Sequence, residues 1–159
     1  MPRRLLVAAL FAAAMGYLEA VVVVYIRGLL GMGPGDGMPA ESEVMRRMAA
    51  LPWLLYTEQA REVATMMMIA SVAWLAAPTL RARIGAFLVV FGVWDIVYYI
   101  GLYAHLRWPT SLATKDLLFL IPPGPWWYQP VWVPLAFSVG FIVVGSRMFL
   151  RGTTGSRTS

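Results

Sequence analysis

The chain contains no cysteine and only one histidine, His105, among its 159 residues. Without thiols it can form no disulfide, thiolate metal site or cysteine nucleophile. One histidine does not supply the ligand sets of a bis-histidine haem or a zinc centre, so no metal and no cofactor is expected. There is no Gly-x-Ser-x-Gly, which leaves a serine hydrolase without its signature. The glycine-rich turn at Gly31, Gly33, Gly35 and Gly37 lacks the lysine and the strand–helix setting of a phosphate loop. Charge is also scarce, at 13% of residues. No reaction class follows from these residues, and the reading leans away from an enzyme.

What is plentiful is apolar: 60% of residues are hydrophobic and mean hydropathy is +0.68. That composition belongs to an integral membrane protein. A bilayer core near 30 Å needs roughly 20 helical residues. Four stretches approach or exceed that length: about 5–26, 53–77, 84–106 and 131–150. The first follows Arg3 and Arg4 and resembles a secretory signal. Its apolar run, however, continues through Val21–Ile26, beyond the roughly 7–15 residues of a signal core. The fold expected is all-α, a single polytopic membrane domain over 1–159 built as a four-helix bundle. Connections at 27–52 and 107–130 and a disordered tail at 151–159 complete it.

The connections have character of their own. Pro39–Leu51 reads as a short surface helix, with Glu41 and Glu43 early, Arg46 and Arg47 late, and Val44, Met48 and Leu51 on one face. Prolines in 107–130 forbid a continuous helix, while Trp108, Trp126, Trp127 and Tyr128 suit the headgroup level. A re-entrant or interfacial segment capping one end of the bundle is expected there.

The net charge of +5 is a topology signal, with no nucleic-acid partner implied. Arg3, Arg4, Arg81, Arg83, Arg147, Arg151 and Arg157 fall on one side of the spans without a single acid. On the other side six basic residues meet six acids. The positive-inside rule therefore puts both termini in the cytoplasm of a multi-pass protein of the bacterial inner membrane.

Against this apolar background the intramembrane acids stand out. Asp95 lies near the middle of the third span. At about 1.5 Å per residue, Glu19 lies about 12 Å and Glu62 about 13 Å below the outer ends of theirs. Glu58, Arg61, Glu62 and Thr65 follow i, i+3, i+4 and i+7 spacing and share one helical stripe. Tyr98 and Tyr99 lie between Asp95 and the outer surface. A charge at the centre of a span costs about 2.5–3.5 kcal/mol, which argues against a lipid-facing placement.

One arginine cannot neutralise three such acids, so one of them is expected to be protonated or to hold a cation. Pairing of Arg61 with Glu19, Glu62 or Asp95 as a purely structural network is the competing reading. Met66, Met67 and Met68 do not make a Cu(I) site, because consecutive helical residues point about 100° apart.

The expectation is an outward-facing acidic and aromatic chamber of Glu19, Glu58, Arg61, Glu62, Asp95, Tyr98 and Tyr99. It would bind, and in one version transport, a proton, a cation or a small polar or lipid headgroup. His105, Asp116, Trp126 and Trp127 are candidates for a lid or proton path. Membrane lipid, a small polar or cationic ligand, and other membrane subunits or a second copy are the expected partners. Two other readings remain open: a non-catalytic accessory subunit of a larger membrane complex, and a small intramembrane enzyme that modifies lipid.

The run FGVWDIVYYIGLYAHLRWPTSLATKDLLFLIP resembles a group of small uncharacterised bacterial four-span membrane proteins. Gly16-Tyr17-Leu18-Glu19-Ala20, Arg61-Glu62-Val63-Ala64-Thr65, Trp94-Asp95 with Tyr98-Tyr99, and Trp108-Pro109 through Asp116 to Pro122 carry the resemblance. It covers most of the chain and implies no activity.

Overall fold

A computed structural model describes residues 2–122 and 124–154, which are mostly helical (75%). Five helices occur in the order α1 (Arg3–Leu29), α2 (Glu41–Ala49), α3 (Pro52–Ala76), α4 (Leu80–Leu106) and α5 (Trp132–Thr154). Two short strands, β1 (Lys115–Leu117) and β2 (Tyr128–Pro130), lie between α4 and α5. Three helices, α1, α4 and α5, are long and apolar enough to cross a membrane. α3 has 25 residues, but Glu58, Arg61 and Glu62 set it apart from those three in composition.

Local chemistry sets the ends of these elements. Pro52 occupies the first turn of α3 and Pro134 that of α5, where a missing N–H goes unnoticed. Thr79 caps α4 by accepting from the Ala82 N–H at 3.3 Å. Arg107, in the left-handed region at φ 52°, ends it. α4 therefore starts at Leu80, four residues ahead of the expected Ile84. α5 runs through residues 151–154, so that part of the expected disordered tail is helical. The rest of that tail lies outside the described residues.

α4 is the central helix. Half of its most apolar stretch is buried, against 28% for α1 and 17% for α5, and α1, α3 and α5 all pack on it. Close approach is possible because the contact points are glycines. A methyl group added at Gly85 would sit 2.6 Å from the Gly145 carbonyl oxygen, and one at Gly92 would sit 2.5 Å from that of Ser138. Gly16 meets the Trp94 backbone and Gly101 meets Ala20 in the same way on the α1 side. In lipid, where burial of apolar surface offers little drive, such backbone-to-backbone packing holds helices together.

Leu5, Ala8, Ala12, Ala73, Ala76, Ala82, Ala86 and Phe149 form one core cluster. The start of α1, the end of α3, the start of α4 and the end of α5 therefore lie at one end of the bundle, called here the terminal end. At the opposite, connection end, Ala20, Tyr99, Leu102, Leu106, Trp108 and Val131 make a second cluster. Val44 and Met48 of α2 pack on Leu30, Met32 and Leu54 in a third. The apolar face of α2 is thus used against the protein, where a membrane-surface helix had been expected.

The expected capping segment between α4 and α5 contains a small β-ladder. β1 and β2 pair antiparallel with Asp116 opposite Gln129. The ladder is extended by Leu118 N–H to the Trp127 carbonyl at 2.9 Å and Val131 N–H to that of Thr114 at 2.9 Å. With prolines at 109, 122, 125 and 130, a ladder with few N–H donors is what this stretch can form. The Tyr128 hydroxyl donates to the Pro39 carbonyl at 2.8 Å, tying the two long connections together.

Candidate functional site

The i, i+3, i+4 and i+7 stripe on α3 faces α1 and α4, and its charges are met there. Arg61 forms an ion pair with Glu19 of α1 and a second with Glu58 at 2.8 Å. Thr65 is buried and lies 3.5 Å from the same Glu19 oxygen. Glu62 accepts the Leu120 N–H at 2.7 Å through one carboxylate oxygen, while its other oxygen is buried without a partner. Asp95 is buried on α4 and accepts from the Ser138 hydroxyl of α5 at 2.7 Å. Its partner is thus a hydroxyl, and Arg61 is committed elsewhere.

These groups surround one cavity of about 610 Å³, a volume within the usual range of small-molecule sites. Glu19, Glu58, Arg61, Glu62, Asp95, Tyr98, Tyr99, Asp116, Trp126 and Trp127 all line it. Of the sequence candidates only His105 stands apart. It is exposed at the end of α4, 3.3 Å from the Tyr17 hydroxyl, because its position on α4 faces away from the chamber.

Sequence reasoning missed two members. Arg27, placed in the outer charge balance from its position at a helix end, is buried. It donates to the Asp36 carbonyl at 2.9 Å and stacks over Trp108 at 4.6 Å. Ser138 gives no charge signal, although a hydroxyl at mid-span in an otherwise apolar helix was a cue. With Arg27 included, the cavity wall holds five carboxylates and two guanidiniums.

Asp116 comes from β1, outside the helices. It accepts from the Tyr99 hydroxyl at 2.9 Å and, through its other oxygen, from its neighbour's Leu117 N–H at 2.9 Å. Burial pushes its carboxyl up to about 6, while those two hydrogen bonds and Arg27 pull it down.

The remaining wall is apolar and aromatic. Phe91 meets Trp94 edge-on at 5.3 Å and Phe141 of α5 at 5.8 Å, and Trp94 stacks with Tyr98 at 6.4 Å. A second cavity of about 340 Å³ lies along α3, between Val63, Met66, Met67 and Ala70 on one side and Phe119 and Ile121 on the other. It shares Glu62, Met66 and Phe119 with the first. Among the described residues no three His, Cys, Asp or Glu side chains converge as metal ligands. What the wall offers is carboxylates beside aromatic faces.

No family model, no curated protein and no solved structure matches the chain. The resemblance read from the sequence rests on its quoted residues alone.

Proposed function

We propose that the chain is a four-span protein of the bacterial inner membrane, with both termini cytoplasmic, whose chamber binds a small polar or cationic group. The observation that carries this is the imbalance inside one buried cavity: five carboxylates face two guanidiniums, and one oxygen of Glu62 has no partner. An acid removed from water is stable only if it is protonated or given a positive charge.

The fourth span is α3, whose outward residues Tyr56, Val63, Met67, Met68, Trp74 and Leu75 are apolar and exposed. Arg61 and Glu58 turn towards Glu19 and all three charged residues of this stretch line the chamber, which leaves no exposed charge on its outer face. The basic residues Arg3, Arg4, Arg81, Arg83, Arg147 and Arg151 gather at the terminal end. That arrangement supports a cytoplasmic position for this end.

Mass spectrometry of protein purified from native membrane in mild detergent tests the binding. A retained polar or cationic molecule, or a lipid bearing such a group, is expected in the native protein and should be lost in Glu62→Gln and Asp95→Asn. Native protein that retains nothing, while both variants elute and melt as it does, would sink the reading. The absence of cysteine gives a clean orientation test. Gly37→Cys should react with a membrane-impermeant maleimide from outside the cell, and Arg81→Cys only after lysis.

A further inference from the structure

The chamber is covered at the connection end and bordered by exposed apolar side chains at its flank. At the connection end it is covered by residues 116–120 and 126–129, pinned by the Leu120–Glu62, Asp116–Tyr99 and Tyr128–Pro39 hydrogen bonds. At the side, α3 and α5 both flank α4 but have no close packing of their own. Val133, Pro134, Phe137 and Phe141 recur on one face of α5 and line the slot between the two helices, with Met66 of α3 and Phe91 of α4 behind them. From Val133 to Phe141 this stripe covers about 12 Å of helix, and Phe137 is 62% exposed, so the apolar arm reaches the outside. A soluble ion does not choose an apolar side entrance. An amphiphile does.

The polar end selects the charge. Arg61 is held by Glu19 and Glu58, and Arg27 by the Asp36 carbonyl. Asp95 has only a hydroxyl as hydrogen-bond partner, and Glu62, though it feels the charge of Arg61, bonds only backbone N–H and keeps one buried oxygen without a partner. Beside them stand the stacked rings of Trp94 and Tyr98, the kind of faces that attract an ammonium group.

We propose that the occupant is a membrane lipid with an amine-bearing headgroup, entering sideways between α3 and α5. Its ammonium sits between Glu62 and Asp95, and an acyl chain lies along the Val133–Phe141 stripe. The second groove beside Met66 and Phe119 accommodates the other chain. This rests on the chamber being a binding site and names what it binds.

Native mass spectrometry of the detergent-purified chain decides it, with three probes: dioleoyl phosphatidylethanolamine, dioleoyl phosphatidylglycerol and soluble glycerophosphoethanolamine. The amine lipid should bind about tenfold more tightly than the glycerol lipid, a difference equivalent to about 1.4 kcal/mol. The soluble headgroup should neither bind nor compete. Glu62→Gln should erase the preference between lipids, and Met66→Trp, which fills the junction of the two grooves, should weaken both. Should either variant fail to fold, Asp95→Asn and Phe137→Trp replace them with the same readout.

Equal binding of the two lipids overturns the amine assignment. Soluble headgroup binding as tight as the lipid, with Met66→Trp silent, overturns the sideways route while leaving the chamber as a binding site. No binding of any probe to folded protein removes both readings.

Discussion

The two ends of the bundle are built on opposite principles. At the terminal end α4 meets α5 through Gly85 and Gly145, glycine against glycine, and Ala8, Ala12, Ala73, Ala82 and Ala86 belong to a buried apolar core. At the connection end α4 still meets α1 through Gly101 and Ala20 and packs Leu102 on Val131, but beside these contacts lies a chamber lined by seven ionisable acidic and basic groups. Small residues let α4 meet its neighbours backbone to backbone, while long side chains of α1 and α3 stand around a space. The first region therefore holds the helices together, and the second is free to be a site.

The sharpest way to break this contrast is Gly85→Leu. The added side chain would meet the Gly145 carbonyl oxygen and the Phe149 N–H, where even a methyl sits at 2.6 Å. Both are backbone atoms that cannot rotate away. A loss above about 4 kcal/mol is expected, seen as disappearance of the monodisperse peak in fluorescence-detected size exclusion. A normal peak and melting temperature would show that the terminal end is not the anchor.

Next in size is Arg61→Ala, which leaves Glu19 and Glu58 facing each other without their cation. Removing one partner from a buried network costs about 3–5 kcal/mol. Thermal unfolding in detergent should report it, and adding Glu19→Gln and Glu58→Gln should restore part of the loss. Full stability in the single variant would mean that the chamber is wet enough to solvate its own charges.

Asp116 gives a pH signature confined to the connection end. Its carboxyl is raised from 3.8 to about 6 in the folded protein. Between those values the native state holds the proton longer than the unfolded one, so stability falls as pH rises through this window and levels off above it. Two units correspond to about 3 kcal/mol. Tyr99 and Tyr98 of α4, Arg27 of α1 and Asp95 are the groups that face it. Protection factors of amides 115–118, with the intrinsic pH dependence of exchange divided out, should be lower at pH 7.5 than at pH 5, and Asp116→Asn should flatten that difference. Protection factors at the terminal end should not change.

The smallest effect expected is that of Ser138→Ala. It removes the hydroxyl that donates to Asp95 at 2.7 Å and should cost about 1 kcal/mol in a thermal melt. A gain in stability would mean that Asp95 already has another partner.

Much of the site was legible because charge in an apolar run is conspicuous. Glu19, Glu58, Arg61, Glu62 and Asp95 were each found by depth and helical spacing, and the structure brings all five to one cavity. Arg27 was not, because a residue at a helix end reads as solvated until a folded connection covers it. Its cover is Trp108 and the Asp36 carbonyl, which follow it by 81 and 9 positions. His105 does not line the cavity, for a complementary reason: helical spacing fixes a direction around α4 but does not say which neighbour stands there. The ladder at 115–130 escaped notice because its strands are three residues long and too short to show alternation.

Composition and periodicity by themselves determined long apolar helices, the polar stripe on α3 and a basic terminal end, since each depends on residues near in sequence. Only the tertiary structure decided that Arg61 belongs to Glu19 and Glu58, that Asp95 belongs to Ser138, and that α3 and α5 stand apart. Those outcomes depend on which glycines let which backbones approach, and that geometry is a property of pairs of helices that no single helix contains.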